Sequence, residues 1–377
     1  MGIPLPPRDM EGVSGGTLHA TGFNAFGQLQ TSPTPSGAIS DFTSFKRVAK
    51  GEVLFACWST TILVDDSGQV SSLGFQQIQP IAGRSAKCAI GDHDGMKACL
   101  IDGKLHVVRG TPGTQQTLED VRLDDSPRIE LLASAWNGRV VAVLKQTKRR
   151  RSSDPDATDM QCHVVDFASF QDFLQWFEAP VQQRDSLCQK HEVDGRALRL
   201  EAGTGTFMLL TEIHSQTRLF TWGDNRFHTL GRSPAEGTPA DRPGVVETLE
   251  EDLIIDIAAG GWMNAVVTAE GGLFLWGHKT DLDSDKLSVS DLEGSGGDVV
   301  LVDLPNGPDG EPLRAGKVAL GINHAAVVAG GKLLVNGDNS NGQLGIGKVN
   351  GAEDWEVLDL SASEVWCGSK CTFAICD

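Results

Sequence analysis

Tyrosine is absent from all 377 residues, and basic side chains are scarce: 32 Lys and Arg stand against 50 Asp and Glu, a formal charge of −18. That balance speaks against a nucleic-acid binder, whose affinity rests on Lys and Arg neutralising phosphates. It also speaks against a surface that seeks anionic lipid. No apolar run approaches the ~18–20 residues needed to cross a bilayer as a helix. The opening segment Met1-Gly2-Ile3-Pro4-Leu5-Pro6-Pro7 has neither a basic n-region nor an apolar h-region, so it is not expected to direct secretion. Pro6 stands where N-myristoylation prefers Ser or Thr.

No CxxC pair occurs among the eight cysteines. Cys367, Cys371 and Cys376 are neighbours in sequence, but no His pair lies near them to complete a zinc site. Reduced core thiols are the expectation, which fits a cytoplasmic location with the nucleus as a second one. Catalytic signatures are missing as well: no G-x-S-x-G elbow, HExxH, Walker loop, or G-x-G-x-x-G between a strand and a helix. Asp281, Asp283 and Asp285 alternate as calcium ligands do, yet no Gly or distal Glu completes an EF-hand loop, and a solvated acidic turn is expected. Asp92-His93-Asp94-Gly95 suggests a metal but equally fills the turn before a strand, and Gly203-Thr204-Gly205 reads as a turn rather than a phosphate cradle. No catalytic activity, metal or cofactor is expected.

What is abundant is glycine, 44 of 377 residues, well above the usual ~7%. Evenly spaced glycine marks tight turns between short strands and favours one large repetitive domain over several ordinary ones. One phrase recurs: a small-residue turn, a short apolar strand, a Gly turn, and a second strand ending near Gly. Clear copies run Ile257–Gly277, Val318–Gly337 and Leu200–Gly223; weaker ones start at Ala56, Gly91 and Ala133. The seventh copy is split, its first half at Val365–Ile375 and its second at Gly15–Gly22. The equivalent strand starts are Thr60, Met96, Asn137, Thr206, Met263, His324 and Cys371, at uneven intervals that place loops of different size on a fixed scaffold. A second register through Ile81-Ala82-Gly83 is available; Met96 is preferred because Met96–Val107 matches His324–Val335 without a gap.

The expected fold is therefore all-β: a seven-bladed β-propeller of four-stranded blades, residues 1–377, closed by pairing the N- and C-terminal strands in one blade. Two insertions are expected. Residues 145–161 form a mobile basic loop, a localisation patch or phosphoacceptor site (Ser152, Ser153) in one reading and a tolerated insertion in the other. Residues 167–180 are helical, because Phe170, Phe173, Leu174 and Phe177 follow i, i+3, i+4, i+7 before Pro180. That helix is either a partner-binding element or packed on the propeller edge. Residues 233–243 and 281–298 read as exposed loops.

In a propeller the turns entering equivalent strands gather on one face around the axis. The candidate partner-binding residues on them are Trp58, Trp136, Trp262, Asn323 and Lys370. Exposed Trp near one mouth makes an interaction hot spot; wedged between blades, each Trp is core instead. Trp222 and Trp276, ending second strands before Gly, read as structural.

Three turns carry a family resemblance: Phe23-Asn24-Ala25-Phe26-Gly27-Gln28-Leu29 after Gly22, Gly223-Asp224-Asn225 through Gly231, and Gly337-Asp338-Asn339-Ser340-Asn341-Gly342-Gln343-Leu344-Gly345. They resemble the G-x-N-x-x-G-Q-L-G turn of the regulator-of-chromosome-condensation repeat family, which are seven-bladed propellers. Gly277 closes a strand as Gly22, Gly223 and Gly337 do. The glycines and Asn permit positive φ, while Gln and Leu anchor the turn to the next blade. The motif is missing from the second to fourth repeats, and His324 alone keeps the family's His at a strand start.

Within that family the chain is similar to the fungal α-tubulin-suppressor/killer-toxin-insensitivity propellers. The similarity implies a non-enzymatic scaffold, a heterodimer with a small CSL zinc-finger protein that carries iron and electrons, and roles in diphthamide synthesis and Elongator-dependent modification of tRNA wobble uridines. Two alternatives are a guanine-nucleotide exchange factor for a Ran-like GTPase and an accessory subunit of a chromatin-modifying complex. Against the exchange factor, only Arg8 is basic before position 46, so the N-terminus is no basic tail for nucleosomal DNA. No direct contact with nucleic acid or membrane is expected.

Overall fold

A computed structural model describes residues 16–30, 39–82, 85–121, 125–145, 161–277 and 298–376. The basic segment with Ser152 and Ser153, and the Asp281, Asp283 and Asp285 triplet, lie outside the described residues. Short strands pair in sequence order into antiparallel blades. Three discrete blades contain four strands each from one continuous stretch of chain, spanning Ile129–Asp194, Arg196–Val245 and Ile254–Val302. Glu52–Ala56, Thr60–Val64, Gln69–Gly74 and Ile81–Ala82 make a fourth. Ile81–Ala82 is thus an outer strand, which rules out the register through it.

The fifth sheet departs from four strands. Gln77–Ile78 pairs parallel with Gln115–Gln116 and adds a strand to Ala86–Asp92, Gly95–Ile101, Lys104–Arg109 and Gln115–Asp120. The expectation of seven separate blades is corrected more substantially. There are five discrete blades, and the remaining repeats form one continuous seven-stranded sheet. The cause is the single strand Ala352–Cys367, in which no Gly or Pro interrupts sixteen residues. Its first part pairs with Lys332–Gly337 and its last part with Cys371–Cys376, so an outermost strand runs without a break into the next innermost one.

Closure by the termini is present. Thr17–Gly22 pairs antiparallel with Cys371–Cys376 over six positions, from Thr17↔Cys376 to Gly22↔Cys371. Gly22 has φ +112°, and a Cβ there would meet the Lys370 carbonyl oxygen at 2.4 Å, so the close approach of the two ends requires glycine.

The second strands are buried along their length, as in Met263–Thr268, His324–Ala329 and Cys371–Cys376, because both faces of each blade pack on neighbours. Trp222 and Trp276 are fully buried, as expected. The Trp276 indole donates to the Thr229 carbonyl at 3.0 Å, across the seam between two blades. One alignment shifts: Ala135 N–H donates to Arg139 O at 2.9 Å, as Gly203 does to Thr206 and Gly368 to Cys371. The third strand start is therefore Arg139; Asn137 sits two residues earlier in the turn.

The insertion at 167–180 contains the helix Phe170–Glu178, capped by Ser169, whose hydroxyl accepts from the Asp172 N–H. Phe173, Leu174, Trp176 and Phe177 are buried against Phe167 and the blade beneath. The apolar face of the helix is thus packed on the propeller edge.

His324 is fully buried, with Nε2 3.1 Å from Thr372 Oγ1, and burial pushes its pKa down to about 4. The folded state thus resists a proton that the unfolded chain accepts near 6.5. Stability is full above about pH 6.5 and declines as pH falls toward 4, by about 3 kcal/mol from this group. Urea unfolding at pH 7 and pH 4.5 should show the loss, and His324→Gln should flatten it; an unchanged pH slope in that variant would assign the effect elsewhere.

Candidate partner-docking face

Two sets of loops converge on one face. The turns between first and second strands of each repeat surround the axis, and the loops leaving the third strands begin beside them. Phe23 N–H donates to Lys370 O at 2.9 Å, Phe75 to Ser59 at 2.9 Å, Asp224 to Gly205 at 3.0 Å and Asp338 to Asn323 at 2.8 Å. Neighbouring inner turns are also joined around the rim: Trp136 N–H to Gly203 O, Thr204 to Gly261, and Ile322 to Ser369. All five candidate residues therefore lie on this rim. Trp58 and Trp136 are 45% and 49% exposed. Trp262, Asn323 and Lys370 are half-buried.

The repeat turns are built alike. The Asn side chain accepts the N–H of the buried Leu five residues on: Asn24 from Leu29 at 2.9 Å, Asn225 from Leu230 at 3.1 Å, Asn339 from Leu344 at 2.8 Å. Gln28 and Gln343 each accept a turn N–H, from Phe26 and Asn341. Gly27, Gly342 and Gly345 take positive φ. At Gly342 a Cβ would lie 2.5 Å from the Phe42 carbonyl oxygen, so only glycine fits. Gln28 also reaches the next blade, where its amide donates to Trp58 O at 2.6 Å.

Through Gln28 the turn sets an aromatic cluster in place. Phe23 stacks parallel to Trp58 with ring centres 6.1 Å apart, Phe26 meets Trp58 edge-on at 5.4 Å, and Phe75 meets Phe26 edge-on at 6.2 Å. The Trp58 indole donates to His93 O at 3.0 Å, fixing the ring while leaving much of it in water. Sequence reasoning found Trp58 but not Phe23, Phe26 or Phe75. The signal was available in the first repeat turn, where Phe23 stands at the position that the other two copies fill with Asp224 and Asp338, and Phe26 matches Phe227. A smaller cluster sits across the rim: Phe227 lies 4.6 Å from Trp262, and the Arg226 guanidinium is 5.7 Å above that ring. Hydrogen bonds from Arg226 hold Asp224 below the usual carboxylate range.

The five blades and the joined sheet surround a central cavity of about 640 Å³. Ion pairs cross its inner strands: Arg199 binds Asp256 and Glu201, and Lys317 binds Glu364 at 2.8 Å. Burial pushes the Cys99, Cys162 and Cys371 thiols up to about 12 and Cys367 higher, which makes these four poor nucleophiles. Asp92, His93 and Asp94 present ligand atoms within 4.8 Å of one another, but Asp92 is already paired with the Lys97 ammonium.

Residues 217–267 match the model of the regulator of chromosome condensation (RCC1) repeat. Over 359 residues the chain is 25% identical to human RCC1 domain-containing protein 1, covering 84% of this chain and 86% of that protein. It is 29% identical over 170 residues to human E3 ubiquitin-protein ligase HERC2, of which that stretch is 3%. The fold is similar to that of Prp20p from Saccharomyces cerevisiae, a protein studied for its binding to Gsp1p and histones, with a TM-score of 0.63 at 15% identity over 99% of this chain and 92% of that one. Yeast RCC1 (Prp20) bound to Kap60 superposes with a TM-score of 0.62 at 14% identity, over 97% and 90% of the two chains.

Proposed function

For a β-propeller that carries an RCC1 repeat, we propose the role of a non-enzymatic protein-interaction scaffold that receives its partner on the turn face. The observation that carries this reading is the fixed, water-exposed aromatic cluster around Trp58. Rigid aromatic side chains bury much area at little entropic cost and recur at the centres of protein interfaces.

The finer reading keeps the small CSL zinc-finger protein as partner, in a heterodimer serving diphthamide synthesis and tRNA wobble-uridine modification in the cytoplasm, with the nucleus as a second location. Its support is the sequence resemblance. A second reading, a Gsp1p-type GTPase or chromatin partner, is favoured by the fold similarity to Prp20p and by a charge of −18 that complements basic histones.

Calorimetric titration of the full chain with each purified candidate separates these readings. One-to-one binding of the CSL protein at micromolar Kd or better is expected, and Trp58→Ala should weaken it at least about tenfold. Binding of the GTPase or of histones alone would replace the CSL reading. Unaltered binding of every partner by Trp58→Ala would remove the aromatic cluster from the interface.

A further inference from the structure

Three of the exposed large apolar side chains, Phe26, Trp58 and Phe75, meet at one seam of the turn face. Their arrangement is fixed before any partner arrives, because Trp58 is held through its indole N–H, its carbonyl and the stacked Phe23. The residue whose carbonyl receives that indole N–H is His93, and the next one is Asp94, with 73% of its side chain in water. Asp94 is paired with His93 at 3.3 Å, a contact that counts as an ion pair only when the imidazole is protonated. Asp92 and Asp94 converge there, and the Lys97 ammonium is committed to Asp92.

An aromatic face beside an accessible carboxylate selects for a particular group. A metal ion would have to displace Lys97 and shed its water beside apolar rings. An anionic headgroup would meet like charge on a chain of −18. A guanidinium is planar and weakly hydrated, stacks on aromatic rings, and donates in-plane hydrogen bonds to carboxylate. We infer that this seam receives an arginine side chain from a basic segment of the partner protein, its guanidinium lying on Trp58 and donating to Asp94. This rests on the turn face being the docking face, and it names the chemistry that the face recognises.

The test is titration of the full chain with acetyl-Gly-Arg-Gly-Arg-Gly-amide, beside matched lysine and glutamate peptides. The arginine peptide should saturate the wild type, the lysine peptide should bind at least about threefold more weakly because it cannot stack, and the glutamate peptide should not bind. Trp58→Ala and Asp94→Asn should each weaken the arginine peptide at least about fivefold. Asp94→Asn is the decisive variant should Trp58→Ala melt early, since an exposed carboxylate contributes little to folding. The inference falls if the arginine peptide fails to saturate, or binds both variants as it binds the wild type. If that happens while Trp58→Ala still weakens a purified partner, the docking reading stands without it. If purified partners ignore Trp58→Ala, the docking reading falls on its own measurement.

Discussion

Asp256→Ala should destabilise the chain by about 3–5 kcal/mol in urea unfolding, the cost of removing one member of a buried ion pair. Asp256 is 1% exposed and lies on the inner strand Ile254–Gly260. One of its oxygens binds the Arg199 guanidinium on the preceding inner strand, and the other accepts the Val318 N–H at 2.9 Å on the following one. A single carboxylate thus ties three consecutive inner strands around the axis. The Ala variant leaves Arg199 largely buried beside Glu201, 2.8 Å away, and without its Asp256 carboxylate. Asp256→Asn, which keeps an acceptor for Val318, should cost less. The double change Arg199→Met with Asp256→Leu should recover much of the loss, because the desolvation of both charges disappears with them. A cost for Asp256→Ala below about 1 kcal/mol would show that the inner strands are held by packing alone.

Trp222→Ala should cost a comparable amount, about 3–5 kcal/mol, and for a different reason. The ring is fully buried, stacks on Phe207 at 5.6 Å, and fills the space between two blades. Its indole N–H donates at 3.0 Å to Asp166, a buried carboxylate that also receives the Arg139 guanidinium at 2.6 Å. Truncation therefore opens a cavity and strips a donor from a buried charge. Trp222→Phe retains most of the apolar contact and should cost about 1–2 kcal/mol, the share of the hydrogen bond. Equal losses in the two variants would place the whole effect in that bond.

The sequence shows most plainly what repeats locally. Turn phrases such as Ala259-Gly260-Gly261 followed by a buried apolar run revealed the strand pairs, and the split phrase at the two ends revealed closure. Sheet organisation was harder to see. The lack of Gly and Pro in Ala352–Cys367 permits one long strand, but that it serves two repeats depends on where its pairing partners lie. In the blade beginning at Ile129 the turn from Ala135 to Arg139 is one residue longer than its counterparts, and the strand start expected at Asn137 lies two residues too early. The docking face was half legible: the Trp positions follow from turn spacing, whereas the contact of Phe23 and Phe26 with Trp58 joins residues from different blades. Such contacts, like Arg199 with Asp256, arise from closure of the ring and have no counterpart in local pattern.

Closure by the terminal strands also decides how the molecule answers to mechanical load. Thr17 and Cys376 are partners at the same end of an antiparallel pair. Tension applied through these two residues pulls across the ladder, so its hydrogen bonds yield one after another from that end. A ladder loaded along its strands must instead break many bonds at once. The ring has a zipper with its slider at the Thr17–Cys376 end, away from the turn face, and a pull through these two residues would begin to open it there.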